Sequence, residues 1–174
     1  MLQRGSLGEA VKFAQQQLMN AGITVKGGAD GVFGTNTAAA VSAAETGHLV
    51  LSTLHTNNAS QTVDRIIDIF PAGQQDQIRL QLAASLAGIF SQRLVPRISG
   101  GLIPVYELLI NNNAIANLIR DKRTHEINTV IETGSGEGMI DLNRSLASLV
   151  QSGEVSVENA YLYSTNPKTL EKLL

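Results

Sequence analysis

The stretch His48-Leu49-Val50-Leu51-Ser52-Thr53-Leu54-His55 constrains the chain more than any other. Four of its eight residues are Leu or Val in a near-continuous apolar run, and such a run predicts a strand covered on both faces, as in a parallel sheet. His48 and His55 are seven apart, so on a straight strand they point to opposite faces. His55, followed by the polar Thr56-Asn57-Asn58, stands where ligands bind in open α/β sheets. A histidine satisfied within the structure is the plainer reading of either ring. Aromatics make up 4% of the residues, with no Trp, so any core is built from Leu, Ile, Val and Ala.

The residues before this strand read differently. Gly5-Ser6-Leu7-Gly8 precedes an amphipathic run with Val11, Ala14, Leu18 and Met19 at helical spacing, and Gly22 ends it. Gly27-Gly28-Ala29-Asp30-Gly31 is a tight turn, because glycine is relaxed at positive φ. Phe33-Gly34 follows, and Thr35 is placed to cap a helix through Thr37, Ala40 and Val41.

After the strand, Asn57-Asn58-Ala59-Ser60 supplies caps for a helix with Val63, Ile66, Ile67 and Phe70 on one face, stopped by Pro71. A second helix is expected from about Gln74 to Gln92, with Ile78, Leu82, Leu86, Ile89 and Phe90 on its apolar side. Arg93 to Ile98 and Leu102 to Ile110 read as a hairpin around Ser99-Gly100-Gly101, with Pro96 and Pro104 implying edge positions. The rest is helical: Ala114 to Asp121, Thr124 to Thr133, a segment carrying Leu142, Leu146, Leu149 and Val150, one capped by Ser156, and a last one opened by Asn166-Pro167.

Several chemistries find no support. The formal net charge of -2 gives no basis for nucleic-acid binding, and the absence of Cys removes thiol catalysis, disulfides and Cys-ligated zinc. No metal site is expected. No Lys directly follows a Gly, so the phosphate loop G-x-x-x-x-G-K-[ST] does not occur in these 174 residues. Gly134-Ser135-Gly136-Glu137-Gly138 is its nearest imitation and reads as a turn between helices, since a Glu there repels phosphate. Asp68 falls on a helix and is expected in solvent. Thr124-His125-Glu126 is not a zinc-protease motif, because Thr129 stands where a second His belongs; His125 is a surface residue on this reading. The start MLQRGSLGEAV has no apolar signal region and no run approaches the ~20 residues of a membrane helix, so a cytoplasmic location without membrane insertion is expected.

Two resemblances gather these features. Leu2, Gly5, Ser6, Gly8, Val11, Gln15, Leu18, Gly22, Asp30, Gly31, Phe33, Gly34, Thr37, Ala40 and Val41 follow the pattern of the small three-helix peptidoglycan-binding module, with Asp30, Gly31, Phe33 and Gly34 as its signature. Ala14 replaces that family's Leu, and Ala44-Glu45 stands where its closing Phe-Gln belongs. From Ala43 onward the chain resembles the C-terminal part of the type IV pilus retraction ATPases, the twitching-motility motors of the secretion-ATPase family. Ala43-Ala44-Glu45-Thr46-Gly47-His48-Leu49-Val50 and Thr53-Leu54-His55-Thr56 match the His box. Asp64-Arg65-Ile66-Ile67-Asp68 with Phe70-Pro71 matches the segment after it. Ala114-Ile115-Ala116-Asn117-Leu118-Ile119-Arg120-Asp121 matches the retraction motif A-I-R-N-L-I-R-E, with Ala116 for Arg and Asp121 for Glu. Gly138-Met139 and Tyr163-Ser164-Thr165-Asn166-Pro167 fit as well.

The resemblances imply two domains, an incomplete peptidoglycan-binding-like module over 1–42 and a motor segment over 43–174. The implied fold is helix-rich α/β: a small all-α module, then a partial RecA-like P-loop core of one strand, a hairpin and C-terminal helices. The implied site is His55 at the terminal phosphate, with His48, Thr53 and Thr56 as a nucleotide-binding remnant. Ala114, Ile115, Asn117, Leu118, Ile119 and Arg120 would couple nucleotide state to retraction. ATP and Mg²⁺ serve the family, but without Walker A and Walker B residues the chain is not expected to hold them stably or to hydrolyse ATP alone. Intact motor subunits in a hexamer and pilus base proteins are the implied partners, with peptidoglycan second. A peptidoglycan-binding module carrying a passenger, and a fusion without selected function, remain as alternatives.

Overall fold

The computed structural model describes residues 35–174, and side chains from residue 40 onward. Asp30, Gly31, Phe33 and Gly34, and the helix and turn expected before them, lie outside the described residues. The element order is α1 (Thr35–Glu45), α2 (Ala59–Asp68), α3 (Ala72–Ser85), β1 (Gly88–Pro96), β2 (Leu102–Ile110), α4 (Asn113–Arg120), α5 (Ile127–Thr133), α6 (Leu142–Gln151), α7 (Val157–Tyr163) and α8 (Pro167–Glu171). Short 3₁₀ turns at Thr124–Glu126 and Gly134–Glu137 flank α5. The helix expected over Thr124 to Thr133 is thus a 3₁₀ turn followed by an α-helix. The helix-rich α/β class stands.

Local signals set most helix starts. Asn58 accepts from Gln61 N at 2.8 Å and opens α2. Asn112 accepts from Ile115 N at 2.9 Å and opens α4. Ser156 and Asn166 do the same for α7 and α8, the latter with Pro167 in its first turn. Each side-chain oxygen satisfies a backbone N–H that the helix leaves without an internal partner.

The helix expected to run to Gln92 ends at Ser85, and Ile89 and Phe90 belong to β1. Gly88 explains the change. A side chain there would place its Cβ 2.8 Å from the Leu109 carbonyl oxygen, so glycine permits the close approach that starts the ladder. In a helix interior the same glycine costs ~1 kcal/mol relative to Ala. The ladder is antiparallel, from Gly88↔Ile110 to Pro96↔Leu102. Both strands are edges of a two-stranded sheet, which admits Pro96 and Pro104. Gly100 and Gly101 close the loop with φ of 94° and 77°.

His48 to His55 does not form the expected strand. No backbone group from Leu49 to Thr56 hydrogen-bonds another described residue, and Leu49 and Leu51 are 66% and 65% exposed. A strand exists only through its ladder, and among the described residues the one sheet is β1–β2.

The hairpin spans two apolar cores. At one end Ile89 and Leu109 join Val41 of α1, Val63 and Ile67 of α2, Ile78 and Leu82 of α3, Ile115 and Ile119 of α4, and Ile127 and Ile131 of α5. At the other end Val95 and Val105 join Leu142, Leu146 and Ala147 of α6, Val155, Ala160 of α7 and Leu170 of α8. Between them the inward positions are Ser91 and Glu107, a directly opposed and buried pair.

Candidate functional site

The polar layer between the cores is where chemistry-bearing side chains gather. Glu107 is 7% exposed and its Oε1 accepts from the Ala59 amide at 2.8 Å. That amide is in the first turn of α2, where a carboxylate meets unpaired N–H groups and the positive end of the helix dipole. Arg93, further along the hairpin, donates from Nη2 to the Asn57 carbonyl at 3.1 Å. The hairpin therefore grips the chain on both sides of Asn58, through one acceptor and one donor. Ser60 Oγ donates to the Thr124 carbonyl at 2.9 Å, and Thr56 and Thr62 share a hydroxyl bond of 2.6 Å.

Facing Glu107 is the start of α6. Asp141 is 7% exposed and caps the helix by accepting from Arg144 N at 3.0 Å. Asn143 is 1% exposed; its Oδ1 accepts from Ser164 Oγ at 2.6 Å and its Nδ2 donates to the Asn166 carbonyl at 3.3 Å. The stretch from Tyr163 to Pro167 is thereby tied to α6. An open cleft lies here, lined by Asn58, Glu107, Asn128, Glu132, Asp141 and Asn143 among others. Burial pushes the Glu107 carboxyl above the usual range and Asp141 pushes it further; the Ala59 amide and Arg93 oppose the rise. Glu107 can hold a proton where an exposed glutamate releases it. Among the described residues no group of three or more His, Asp or Glu is placed to hold a metal ion.

The expected site residues are dispersed. His48 is exposed, its Nδ1 lying 3.1 Å from Thr46 Oγ1 and 3.2 Å from the Ala43 carbonyl. Thr53 and His55 are exposed, and Thr56 is half-buried against Thr62. In α4, Ile115, Ala116, Leu118 and Ile119 are buried, whereas Ala114, Asn117 and Arg120 face solvent, with Arg120 Nη2 donating to Asn117 Oδ1. No hydrogen bond joins α4 to the His48–His55 segment among the described residues. Asp68 and His125 are exposed, as expected. Gly134 to Gly138 is a turn, with Gly138 left-handed at φ 86°.

Sequence reasoning missed Glu107, Asp141 and Asn143. Glu107 had a signal: a carboxylate at an inward position of the alternating run Leu102 to Ile110, where apolar residues are expected. A phosphate needs converging N–H groups and cations. The cavity offers carboxylates, so the described residues do not fit a nucleotide by themselves.

The described residues form a helix-rich α/β segment, and comparison with known proteins shows what it is similar to. Residues 32–100 match the family model "Type II/IV secretion system protein". Residues 8–46 match "Putative peptidoglycan binding domain". The two spans overlap across α1. A "Twitching motility protein" of Neisseria gonorrhoeae is 44% identical over 132 residues, 75% of this chain and 35% of that protein. The "Type IV pilus retractation ATPase PilT" of Pseudomonas aeruginosa is 44% identical over 121 residues, 70% of this chain and 35% of that protein. The crystal structure of the pilus retraction motor PilT with bound ADP superposes with a TM-score of 0.70 at 36% identity, covering 97% of this chain and 47% of that one. The Legionella pneumophila ATPase DotB shares the fold, with a TM-score of 0.62 at 20% identity over 73% of this chain and 34% of that one. Residues 32–100 are thus similar to the Type II/IV secretion system proteins, and the chain spans about a third of the length of the curated relatives it matches.

Proposed function

We propose that residues 43–174 act as the His-box and C-terminal portion of a pilus-retraction-type motor subunit, in the cytoplasm, and that residues 1–42 are a separate peptidoglycan-binding-like module. The observation that carries this reading is the 44% identity over 132 residues to a twitching motility protein. On this reading His55 attends the terminal phosphate, with His48, Thr53 and Thr56 beside it. The exposed Asn117 and Arg120 of α4 pass nucleotide state to the retraction machinery, while Ile115, Leu118 and Ile119 hold the helix on α3 and α5.

The 174-residue chain by itself does not turn over ATP on this proposal. Phosphoryl transfer rests on phosphate cradling and metal charge more than on one imidazole. The sequence has no phosphate loop, and the polar cavity is acidic. The chain then works beside intact subunits, within the hexamer that the resemblance implies. The test is nucleotide binding and ATP turnover with Mg²⁺ by the purified chain, with His55→Ala as control, alone and mixed with an intact motor of this family. Neither activity alone and co-purification with the motor are expected. His55-dependent turnover by the chain alone overturns the proposal.

A second reading has its own support in the match over residues 8–46. The chain would be a peptidoglycan-binding module with a passenger. Sedimentation with purified cell-wall sacculi would sustain it, and failure to sediment would remove it.

A further inference from the structure

Four consecutive residues lead from His55 into α2, and each is tied down. Thr56 Oγ1 lies 2.6 Å from Thr62 Oγ1, and the Asn57 amide donates to Gln61 Oε1 at 3.3 Å. Asn58 Oδ1 accepts from the Gln61 amide at 2.8 Å. These bonds are internal to the entry of α2 and fix its shape. Two more come from the hairpin and fix its place. Arg93 Nη2 donates to the Asn57 carbonyl at 3.1 Å, and the Ala59 amide donates to Glu107 Oε1 at 2.8 Å.

Arg93 and Glu107 stand side by side on the inward face of the hairpin. Ser91 opposes Glu107 and Arg93 opposes Val105, so the two are diagonal neighbours across the ladder. Arg93 brings a cationic donor, whose bond to a carbonyl is stronger than a neutral one. Glu107 brings an acceptor that is 7% exposed, where water competes little. Its carboxyl oxygen accepts from an N–H in either protonation state. His55 is two residues before Asn57, so its Cα stays within ~7 Å of that fixed point.

We infer that Arg93 and Glu107 are positioning residues for His55: the hairpin holds the start of α2 at Asn57 and Ala59, and thereby sets where His55 stands relative to the hairpin. The inference deepens the proposed motor role and rests on it for its consequence. A group that attends a phosphate loses ~100-fold in rate when it is misplaced by ~1 Å. The rest of α2 does not depend on these two bonds, because Val63 and Ile67 are fully buried in the first core. Removing the clamp frees the entry of the helix and leaves the helix.

The test uses the full chain, whose lack of Cys permits placed labels. Nitroxides at His55→Cys and Ser99→Cys, the latter in the hairpin loop, report the distance from His55 to the hairpin by pulsed electron spin resonance. A single narrow distance is expected. Arg93→Ala and Glu107→Ala should each spread it. Arg93→Lys keeps a cationic donor and Glu107→Gln keeps the acceptor, so the narrow distance should return. A second pair, at Ser99→Cys and at Asp68→Cys on the exposed far end of α2, should hold its distance in every variant. Far-UV spectra and melting verify folding. Arg93 is half-buried, so its truncation tests the clamp even where Glu107→Ala fails to fold. The inference is overturned by a broad distance in the parent chain, by a distance indifferent to the Ala variants, or by failure of both conservative variants to restore it. Equal spreading of both pairs also overturns it, since that is a general loosening of α2. Turnover by the chain alone, or failure to join an intact motor, removes the motor role and leaves these distances as they are, so the two fail separately.

Discussion

Leu49–Thr56 and Leu102–Ile110 are similar runs with opposite fates. Both are rich in Leu, Ile or Val, and both are bounded by turn-forming residues. The second pairs with β1 along nine positions and buries Val105, Glu107 and Leu109. The first forms no ladder and leaves Leu49 and Leu51 in solvent. A helix satisfies its backbone within its own residues, but a strand is half of a structure whose other half lies elsewhere in the chain. The hairpin brings its partner along through Ser99-Gly100-Gly101. The His48–His55 run has no such partner among the described residues.

Substitutions can break that contrast, beginning with the largest effect. Leu109→Ala empties a fully buried position at the hairpin's end of the first core, and ~2–5 kcal/mol of destabilisation is expected in urea melts. Leu49→Ala, at 66% exposure, should change the same midpoint by less than ~0.5 kcal/mol. Comparable losses from the two would mean that the His48–His55 run is packed after all.

Gly88→Ala follows. Its Cβ meets the Leu109 carbonyl oxygen at 2.8 Å, and a backbone atom cannot swing aside, so a loss of ~1–3 kcal/mol is expected. Hydrogen exchange of β1 and β2 amides would locate it at the Gly88 end of the ladder. Asn58→Ala removes the α2 cap and should cost ~1 kcal/mol in thermal melts. It sharpens the comparison, because Asn58 is where the exposed run passes into the folded body.

Glu107→Gln has the smallest effect and an informative sign. Burial raises the Glu107 carboxyl above its ordinary value. Its contribution to stability is therefore full below the ordinary carboxylate pKa and is lost as pH rises through the raised one. Glutamine still accepts from the Ala59 amide but cannot ionise. The wild-type chain should lose stability as pH rises from the ordinary carboxylate range through the raised Glu107 pKa, relative to Glu107→Gln, seen as a flatter pH slope of the variant's urea midpoint. An equal slope in both would place Glu107 in solvent.

Much of the architecture was legible in the residues. Asn58, Ser156 and Asn166-Pro167 announce helices because a cap acts within three residues of itself. Asp68 was placed in solvent by helical period and Pro71, and His125 by the want of a second His at Thr129. The end of α3 was misread because Ile89 and Phe90 continue its apolar face. What overrode that pattern was Gly88 and the partner strand some twenty residues further on. Phe90 instead stacks on Tyr106, with ring centroids 5.2 Å apart. The polar cavity was hidden for the same reason. Asp141 and Asn143 look like ordinary cap and surface residues until α6 is laid against the hairpin.

By itself, then, the sequence determined what acts over a few residues: the caps, the hairpin loop, the apolar face of α2, and the motifs shared with the secretion-system family. The tertiary structure alone decided which apolar run became a strand, where α3 stops, and that Glu107 is buried beside Asp141 between two cores. Local signals are read from neighbours along the chain. Pairing, close approach and burial depend on residues that meet only after folding, and on whether a partner is there to be met.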